Sequence, residues 1–316
     1  MKTLEAAGLN KTANLTNNEL SLQASLYTTF LCILFGGNVV AIKISLSGLG
    51  TFTNAGIRFA LASIALLIWA KMTKQTLYCK RKQGYKLLIL SLIFTVQLSC
   101  FYCGLSKTSA SHGTLIANLL PFIVLILAHF FIPGDQMNIK KVAGITFGFS
   151  GVLFLFFDNH EVSGSMQRGD LIVACAVFLW GCSAVYTKRI ISEISVMQIT
   201  LYPMMFGAPL FLIAGFLWDG EMVRLLDGSI IQSLVYQSFV TASYGFIAWN
   251  RLLLKFGATA VHSFIFIMPV SGLFFSVLLL NEPLTLNIAI SIVLIVAGMI
   301  VVNRNGFKNV RIRPLP

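Results

Sequence analysis

The sequence predicts an all-α polytopic membrane protein whose ten transmembrane helices form two inverted repeats of five helices each. Hydrophobic residues make up 57% of the 316 residues and charged residues only 11%, whereas a soluble domain carries about 25% charged residues. The apolar residues fall in runs of roughly 17–23, the length that crosses a hydrocarbon core of about 30 Å. Landmarks of the first half also recur, in order, in the second half. A transmembrane β-barrel would show alternating segments of about ten residues instead.

Ten apolar runs define the predicted spans. We expect them at residues 25–46, 54–72, 87–105, 113–132, 142–157, 170–191, 197–218, 230–249, 258–280 and 287–302. The first repeat then covers residues 25–158 and the second covers residues 159–303. Residues 1–24 are polar and rich in asparagine, so we expect a disordered tail rather than a cleaved signal peptide. Residues 304–316 form a basic tail.

The basic residues predict how the chain is oriented in the membrane. If the N-terminus is cytoplasmic, 18 of the 23 Lys and Arg residues fall in cytoplasmic segments and three fall outside, at Lys107, Arg168 and Arg224. Cytoplasmic loops of membrane proteins carry such an excess of positive charge. We therefore expect a multi-pass protein of the cytoplasmic (inner) membrane with both termini in the cytoplasm. The net charge of +12 then reports topology and does not indicate nucleic-acid binding.

A short motif near the end of the first span of each half reveals the repeat. FGGNVVAIK ends at Lys43, and WGCSAVYTK ends 145 positions later at Lys188. The matching landmarks are, in order, Phe35 and Trp180, Gly36 and Gly181, Val40 and Val185, Lys43 and Lys188, Pro121 and Pro269, and Gly151 and Gly298. Because each half has an odd number of spans, the second half enters the membrane from the opposite side. Inverted repeats of this kind are common in secondary transporters, with the substrate near the midplane between the halves.

Three basic residues lie within or at the edge of spans and are candidate pathway charges: Lys43, Arg58 and Lys188. Gly36, Val40 and Lys43 share one helix face, and the glycine permits close helix approach. Each lysine has two interpretations. It is an interfacial anchor whose stem runs along apolar neighbours, or it is a charge at the mouth of a pathway that attracts anionic groups.

The eleven acidic residues are all expected in tails, in loops or at span ends. Intramembrane carboxylates are the usual proton relays and cation sites of transporters. Their absence from the middle of the spans disfavours a cationic-drug/proton antiporter and favours anionic, zwitterionic or neutral substrates. It also predicts that transport does not use a membrane-buried carboxylate.

Polar and aromatic residues within the spans are candidates for substrate binding. They are Asn38, Gln97, Asn118, Trp180, Tyr186, Tyr202, Tyr244 and His262. Each has the alternative of joining helices by a hydrogen bond of about 0.6–2 kcal/mol. His262 is a candidate ligand or proton site, because the unperturbed pKa of histidine, about 6.5, lies near neutrality. Its alternative is a neutral side chain bonded to a neighbouring helix.

The inventory of side chains predicts no enzyme, no metal site and no cofactor. The sequence contains no HExxH motif and no Gly-rich nucleotide loop, and its four histidines are scattered. Cys100 and Cys103 form a CxxC, but the motif lies inside an apolar span without further ligands nearby. We interpret these cysteines as packing residues.

These residues together resemble the EamA branch of the drug/metabolite transporter superfamily over residues 25–303. The resemblance is carried by the two motifs above, by NAGIRFALAS, which contains Arg58, and by the stretches ASHGTLIANLLPFIVLILAHFFIPGDQ and ATAVHSFIFIMPVSGLFFSVLLLNEPLT. It implies that helices one to four and six to nine surround a central cavity. It also implies that helices five and ten lie outside, where they can support a homodimer. Two positions depart from the pattern: Asp135 replaces a more usual glutamate, and Pro203 stands where the first half has Arg58.

The sequence therefore predicts a secondary transporter of a small metabolite across the lipid bilayer by alternating access. Amino-acid export and uptake of a vitamin such as riboflavin both fit the resemblance. The alternative is a non-transporting membrane receptor or assembly subunit built on a transporter scaffold. The inverted repeat favours transport, because two inverted halves can open a central site to either side.

Overall fold

The computed structural model describes residues 22–132, 137–156, 164–191, 193–256, 261 and 264–308. Within them, helices follow one another with short connections. Their bounds are α1 (Leu22–Leu46), α2 (Thr51–Met72), α3 (Arg81–Leu105), α4 (Ala110–Ala117), α5 (Leu120–Phe131), α6 (Ile139–Phe156), α7 (Gly164–Ile190), α8 (Val196–Trp218), α9 (Gly228–Val235), α10 (Phe246–Phe256), α11 (Ile267–Leu280) and α12 (Leu286–Lys308). A π-helical segment, Tyr236–Gly245, joins α9 to α10.

These helices make ten spans in the described part of the chain, which confirms the predicted all-α fold. Helices α4 and α5 form span four, and α9, the π segment and α10 form span eight. By length and composition, α1, α2, α3, α4 with α5, α7 and α8 can each cross a membrane, while Ile267–Leu280 and Leu286–Val302 are shorter apolar helices. The sixth span begins six residues before its predicted start, because polar residues continue the helix beyond the apolar run.

The packing of the spans has the pattern that an inverted repeat would give. Exchanging the halves adds five to each span number of the first half and subtracts five from each of the second. Under that exchange, the contact between spans one and nine corresponds to the contact between spans six and four. The contact between spans three and six corresponds to that between spans eight and one, and the contact between spans two and eight corresponds to that between spans seven and three. The pairs two and seven, four and nine, and five and ten map onto themselves. This pattern is consistent with the predicted inverted repeat.

The repeated glycines occupy matching interfaces. A Cβ atom at Gly36 would lie 2.7 Å from the Met268 carbonyl oxygen and 2.8 Å from the Gly272 nitrogen, where spans one and nine touch. A Cβ atom at Gly181 would lie 2.5 Å from a side-chain carbon of Ile123, where spans six and four touch. All three distances are shorter than the contacts that real Cβ atoms make. Each glycine is therefore required by the close approach of two helices.

Spans four and nine are each interrupted near a proline. Span four breaks at Asn118 and Leu119, and Pro121 stands in the first turn of the helix that follows. In span nine a turn at residues 264–266 precedes α11, whose third residue is Pro269. Proline is tolerated in a first turn because the amide there has no helical partner to lose. In transporters, discontinuous helices commonly flank the binding site.

Candidate functional site

A buried arginine lies at the centre of a polar cluster in the apolar bundle. Arg58 is the eighth residue of α2, about 10 Å along the helix from Thr51 at 1.5 Å per residue. Its side chain is only 4% exposed. An isolated buried charge is costly to place in a membrane, about 2.5–3.5 kcal/mol on insertion scales. The residues around it must therefore be considered as a functional candidate.

The guanidinium of Arg58 contacts neutral groups from both halves of the chain. Its Nη1 donates to the hydroxyl of Tyr102 over 3.2 Å, and its Nη2 donates to Thr241 Oγ1 over 3.4 Å. The guanidinium carbon lies 5.0 Å from the centre of the Phe59 ring. Thr241 Oγ1 in turn lies 2.8 Å from Asn38 Oδ1. The cluster thus joins spans one, two and three to span eight.

A second part of the cluster is centred on the amide of Gln237, which is fully buried. Its Oε1 accepts a hydrogen bond from Tyr102 over 3.2 Å, and its Nε2 donates to Ser45 Oγ over 2.8 Å. Asn54 Nδ2 also donates to Ser45 Oγ, over 2.7 Å. Here donors and acceptors are matched, so these side chains are held in defined positions.

The π segment places the two residues that span eight contributes. Gln237 and Thr241 both lie between Tyr236 and Gly245. Ser243 Oγ bonds to the Ser238 carbonyl, five residues earlier, which fits the wider turn. π-helical turns frequently occur at functional sites. No pattern in the sequence predicted this segment.

The structure brings two of the predicted site residues, Asn38 and Arg58, into this central cluster. Two others, Gln97 and Trp180, lie on or against α3, which contributes Tyr102 to the cluster. Gln97 is 4% exposed on α3, and its Oε1 has no hydrogen-bond partner. Trp180 packs edge to face against Phe101, the neighbour of Tyr102, with ring centres 6.4 Å apart. Asn118 stands at the break in span four, where its side chain bonds to the Thr114 carbonyl over 2.7 Å.

Three predicted tyrosines lie outside the central cluster. The Tyr186 hydroxyl donates to the Lys86 carbonyl over 3.3 Å, and Tyr202 donates to the Leu77 carbonyl over 2.7 Å. Both bonds lie at the end of the bundle where the first span begins, which we call the near end. Tyr244 is 47% exposed and shares a 2.6 Å hydrogen bond with the Tyr27 hydroxyl. Lys188 is part of the last turn of α7, and His262 lies outside the described residues.

The opposite end of the bundle, the far end, is closed by charged side chains that bind backbone groups. Lys43 donates to the carbonyls of Leu105, over 2.8 Å, and Thr108, over 2.5 Å, just beyond the end of α3. Glu282 accepts hydrogen bonds from the amides of Ala110, over 2.6 Å, and Ser111, over 2.7 Å, at the start of α4. These contacts place a cation at the end of one helix and an anion at the start of the next, as helix dipoles favour.

A buried hydrogen bond between a carboxylate and an imidazole at the far end was not foreseen. Asp170, expected at the start of its span, lies inside α7 with no exposed surface. Its Oδ2 is 2.8 Å from Nδ1 of His112, which is 2% exposed, and its Oδ1 accepts a hydrogen bond from the Thr108 hydroxyl. Asp170 lies near the far end of its span, as expected for the acidic residues, but its complete burial was not predicted. The helix begins at Gly164, before the apolar run, so Asp170 is its seventh residue.

Polar contacts between the two halves occur at both ends. At the far end, Asp219 caps α2 by accepting from the amide of Thr53 and its hydroxyl, both over 2.8 Å. At the near end, Glu193 forms a 2.6 Å salt bridge with Lys86, and Gln83 donates to the Glu193 carbonyl. In this conformation, hydrogen bonds rather than close packing alone hold the halves together at each end.

The described residues contain no group of three or more His, Cys, Asp and Glu side chains placed to hold a metal ion. The six cysteines are free thiols. The chemistry available at the centre is therefore recognition by hydrogen bonds and by one positive charge.

Several members of the central cluster were missed from sequence: Ser45, Asn54, Tyr102, Gln237 and Thr241. One signal was available, because Asn54 precedes Arg58 by four residues and so shares its helix face. The same spacing links Gln237 to Thr241 in an ideal α-helix. Partners from other helices leave no such trace in a single sequence.

Comparison with known proteins places this architecture among transporters. The model of the EamA-like transporter family matches residues 23–157 and again residues 167–304. A protein of Bacillus subtilis named uncharacterized transporter YoaV is 22% identical over 269 residues, 84% of this chain and 92% of that protein. A probable amino-acid metabolite efflux pump of Escherichia coli is 26% identical over 289 residues, 89% of this chain and 94% of the pump. A solved crystal structure shares the fold with a TM-score of 0.67 and 17% identity, over 90% of this chain and 98% of that one.

Proposed function

The chain belongs to the EamA-like transporter family and is a multi-pass membrane transporter of small molecules, and we propose that it carries a neutral, zwitterionic or anionic metabolite by alternating access. We place it in the cytoplasmic membrane with both termini in the cytoplasm. The names of the Escherichia coli and Salmonella typhimurium relatives, both probable amino-acid metabolite efflux pumps, favour amino-acid-related solutes. Uptake of a vitamin such as riboflavin is the second candidate within the same class.

One observation carries this proposal: the central polar cluster is made by both halves and, among the residues that the structure describes, contains one positive charge and no carboxylate. Arg58 belongs to the first half, and its partner Thr241 belongs to the second. A polar site between two halves is where an alternating-access transporter binds its substrate. A positive charge there repels cations and attracts anionic groups.

The contacts at the two ends support the alternating-access step. Asp219 and Glu282 join the halves at the far end, and Glu193 joins them at the near end. Breaking one set while keeping the other would expose the central cluster to one side only. Each set consists of a few hydrogen bonds worth about 0.5–3 kcal/mol each, so either end can open at modest cost.

The competing proposal is a receptor or assembly subunit that binds a solute without moving it. Counterflow in proteoliposomes separates the two. Purified protein is reconstituted in liposomes loaded with an unlabelled solute, and entry of the same radiolabelled solute is followed for each amino acid and for riboflavin. A transporter accumulates label transiently above its external concentration, whereas a receptor gives saturable binding without accumulation. Liposomes without protein provide the baseline.

The predicted homodimer along spans five and ten remains a prediction. These two spans pack against each other through Gly144 and Gly298, where an added Cβ at Gly144 would lie 2.7 Å from the Gly298 carbonyl oxygen. The assembly state of the purified protein, measured by mass photometry in detergent, tests it directly.

A further inference from the structure

We propose that Arg58 binds the carboxylate of the transported metabolite and that the substrate therefore carries a carboxylate group. This inference rests on the proposed transport function and narrows the substrate from three charge classes to compounds with a negatively charged acid group, including zwitterions such as amino acids.

The hydrogen-bonding capacity of Arg58 is mostly unused. A guanidinium has five N–H donors, and Arg58 makes two hydrogen bonds, of 3.2 Å and 3.4 Å. The first distance lies at the upper limit of the usual 2.7–3.2 Å range, and the second exceeds that range. Its Nε is buried and has no partner at all. A buried, partly unbonded cation is destabilising unless a ligand completes its coordination.

No described acid of the protein pairs with Arg58, and the acids at the far end, the buried Asp170 and the half-buried Asp219 and Glu282, are engaged elsewhere. Asp170 is bonded to His112, Asp219 caps α2, and Glu282 caps α4. Each would have to break its own hydrogen bonds to reach the guanidinium. The anion that completes this site is therefore expected to come from outside the protein.

The charge at the site favours a carboxylate over a phosphate. The planar guanidinium fork can bind either group through two parallel hydrogen bonds, but its single positive charge neutralises only one negative charge. A dianionic phosphate would call for a second cation. Lys43, which lies at the far end of the bundle, is already bonded to the carbonyls of Leu105 and Thr108. The hydroxyls of Tyr102 and Thr241 accept from Arg58 but donate to Gln237 Oε1 and Asn38 Oδ1, so they could bind the same anion only after giving up those bonds.

Access to Arg58 requires the halves to separate. The side chain is 4% exposed and is enclosed by α2, α3 and the π segment. Because the π segment belongs to the second half, opening either end moves Thr241 away from Arg58 and frees a donor. Substrate binding and the closing of the halves around it are thereby linked at one side chain.

The test compares each acid with the matching amide. Thermal stabilisation of the purified protein is measured with the twenty L-amino acids, small keto acids and dicarboxylates, and then with the amide of each compound that binds. Wild type, Arg58→Gln and Arg58→Lys are compared, with Arg251→Gln as the matched control. Arg251 lies on the same bundle but its guanidinium carbon is 5.1 Å from the Trp69 ring, outside the central cluster.

We expect at least one acid to bind wild type and its amide to bind about 30-fold more weakly or not at all, as for loss of a buried charge partner. Arg58→Gln should weaken the acid by a similar factor, and Arg58→Lys by less, because lysine keeps the charge but loses the fork. Arg251→Gln should bind as wild type does. Ligand binding to the native state raises its apparent stability, which provides the signal.

Three results would overturn this inference. The first is an acid and its amide that stabilise wild type equally, a comparison that needs no variant to fold. The second is a wild-type protein that no carboxylate stabilises, and the third is an Arg58→Gln variant with unchanged acid affinity. If counterflow of a solute without a carboxylate is observed at the same time, the transport function stands and only the carboxylate site fails. Absence of counterflow for every solute would instead count against transport itself.

Discussion

Replacing Asp170 should reveal a strong energetic link between spans four and six at the far end. The carboxylate has no exposed surface, lies 2.8 Å from His112 Nδ1 and accepts a hydrogen bond from the Thr108 hydroxyl. Lys43 and Glu282 bind the backbone of the same 3–4 connection, at Thr108 and at Ala110. The connection is thus held by three charged side chains from spans one, six and nine.

The size of the effect follows from what each substitution leaves behind. Asp170→Ala leaves the His112 ring and the Thr108 hydroxyl buried without their acceptor. Leaving a buried hydrogen-bonding group without its partner costs about 1–3 kcal/mol, so losing both contacts should cost about 2–6 kcal/mol. Asp170→Asn keeps the shape and one acceptor oxygen but not the charge. Its cost should be about 1–3 kcal/mol, the range for an imperfectly satisfied buried group.

Unfolding of the purified protein by sodium dodecyl sulfate in mixed micelles measures these differences. A double-mutant cycle with His112→Ala isolates the pair, and we expect a coupling free energy of about 1–3 kcal/mol. His129→Ala is the matched control, because His129 is exposed at the near end, where it accepts a 3.2 Å hydrogen bond from the Met137 amide. Asp170→Ala within about 0.5 kcal/mol of wild type, or strictly additive costs in the cycle, would refute the reasoning.

Three further predictions test packing, capping and topology. Gly36→Ala should impair counterflow and lower stability, because its Cβ would lie 2.7 Å from the Met268 carbonyl oxygen. Gly84→Ala should be neutral, because nothing lies within 4 Å of a Cβ atom there. Equal behaviour of the two variants would argue against tight packing of spans one and nine. Glu282→Ala should cost about 0.5–2 kcal/mol in the same unfolding assay, as for loss of a helix N-cap, and Glu282→Gln should cost less because it keeps an acceptor; similar losses for both would show that charge, not hydrogen bonding, matters. In a background without native cysteines, Gly228→Cys should react with a membrane-impermeant maleimide added to intact cells and Gly84→Cys should not; the reverse pattern would invert the proposed topology.

Sequence alone was sufficient for the spans, because a bilayer requires long apolar runs and the chain has little else. It also located the close-packed glycines, since Gly36 and Gly181 recur in register and close helix approach excludes side chains. Pro121 was identified as a landmark of the repeat, but the break in front of it, at Asn118 and Leu119, was not predicted.

The central polar cluster was only partly predictable. Arg58 and Asn38 stood out as polar residues in apolar spans. Tyr102 and Gln237 are 135 residues apart in sequence, and their hydrogen bond forms only because the fold brings their helices together. The π segment shifts side chains of span eight in a way that no local pattern indicates. The burial of Asp170 was missed because α7 begins at Gly164, before the apolar run that defined the span.

Separation of the two halves at the far end is the central claim of the mechanism, and a reversible cross-link tests it most directly. A Cβ atom at Gly215 would lie 2.5 Å from Thr53 Oγ1, so the Cβ atoms of Thr53→Cys and Gly215→Cys would be within about 4 Å, as a disulfide requires. The bridge would tie span two to span seven across the halves, in a background without the six native cysteines. We predict that oxidation abolishes counterflow in proteoliposomes and that reduction restores it. Undiminished counterflow in fully cross-linked protein would contradict alternating access through this end.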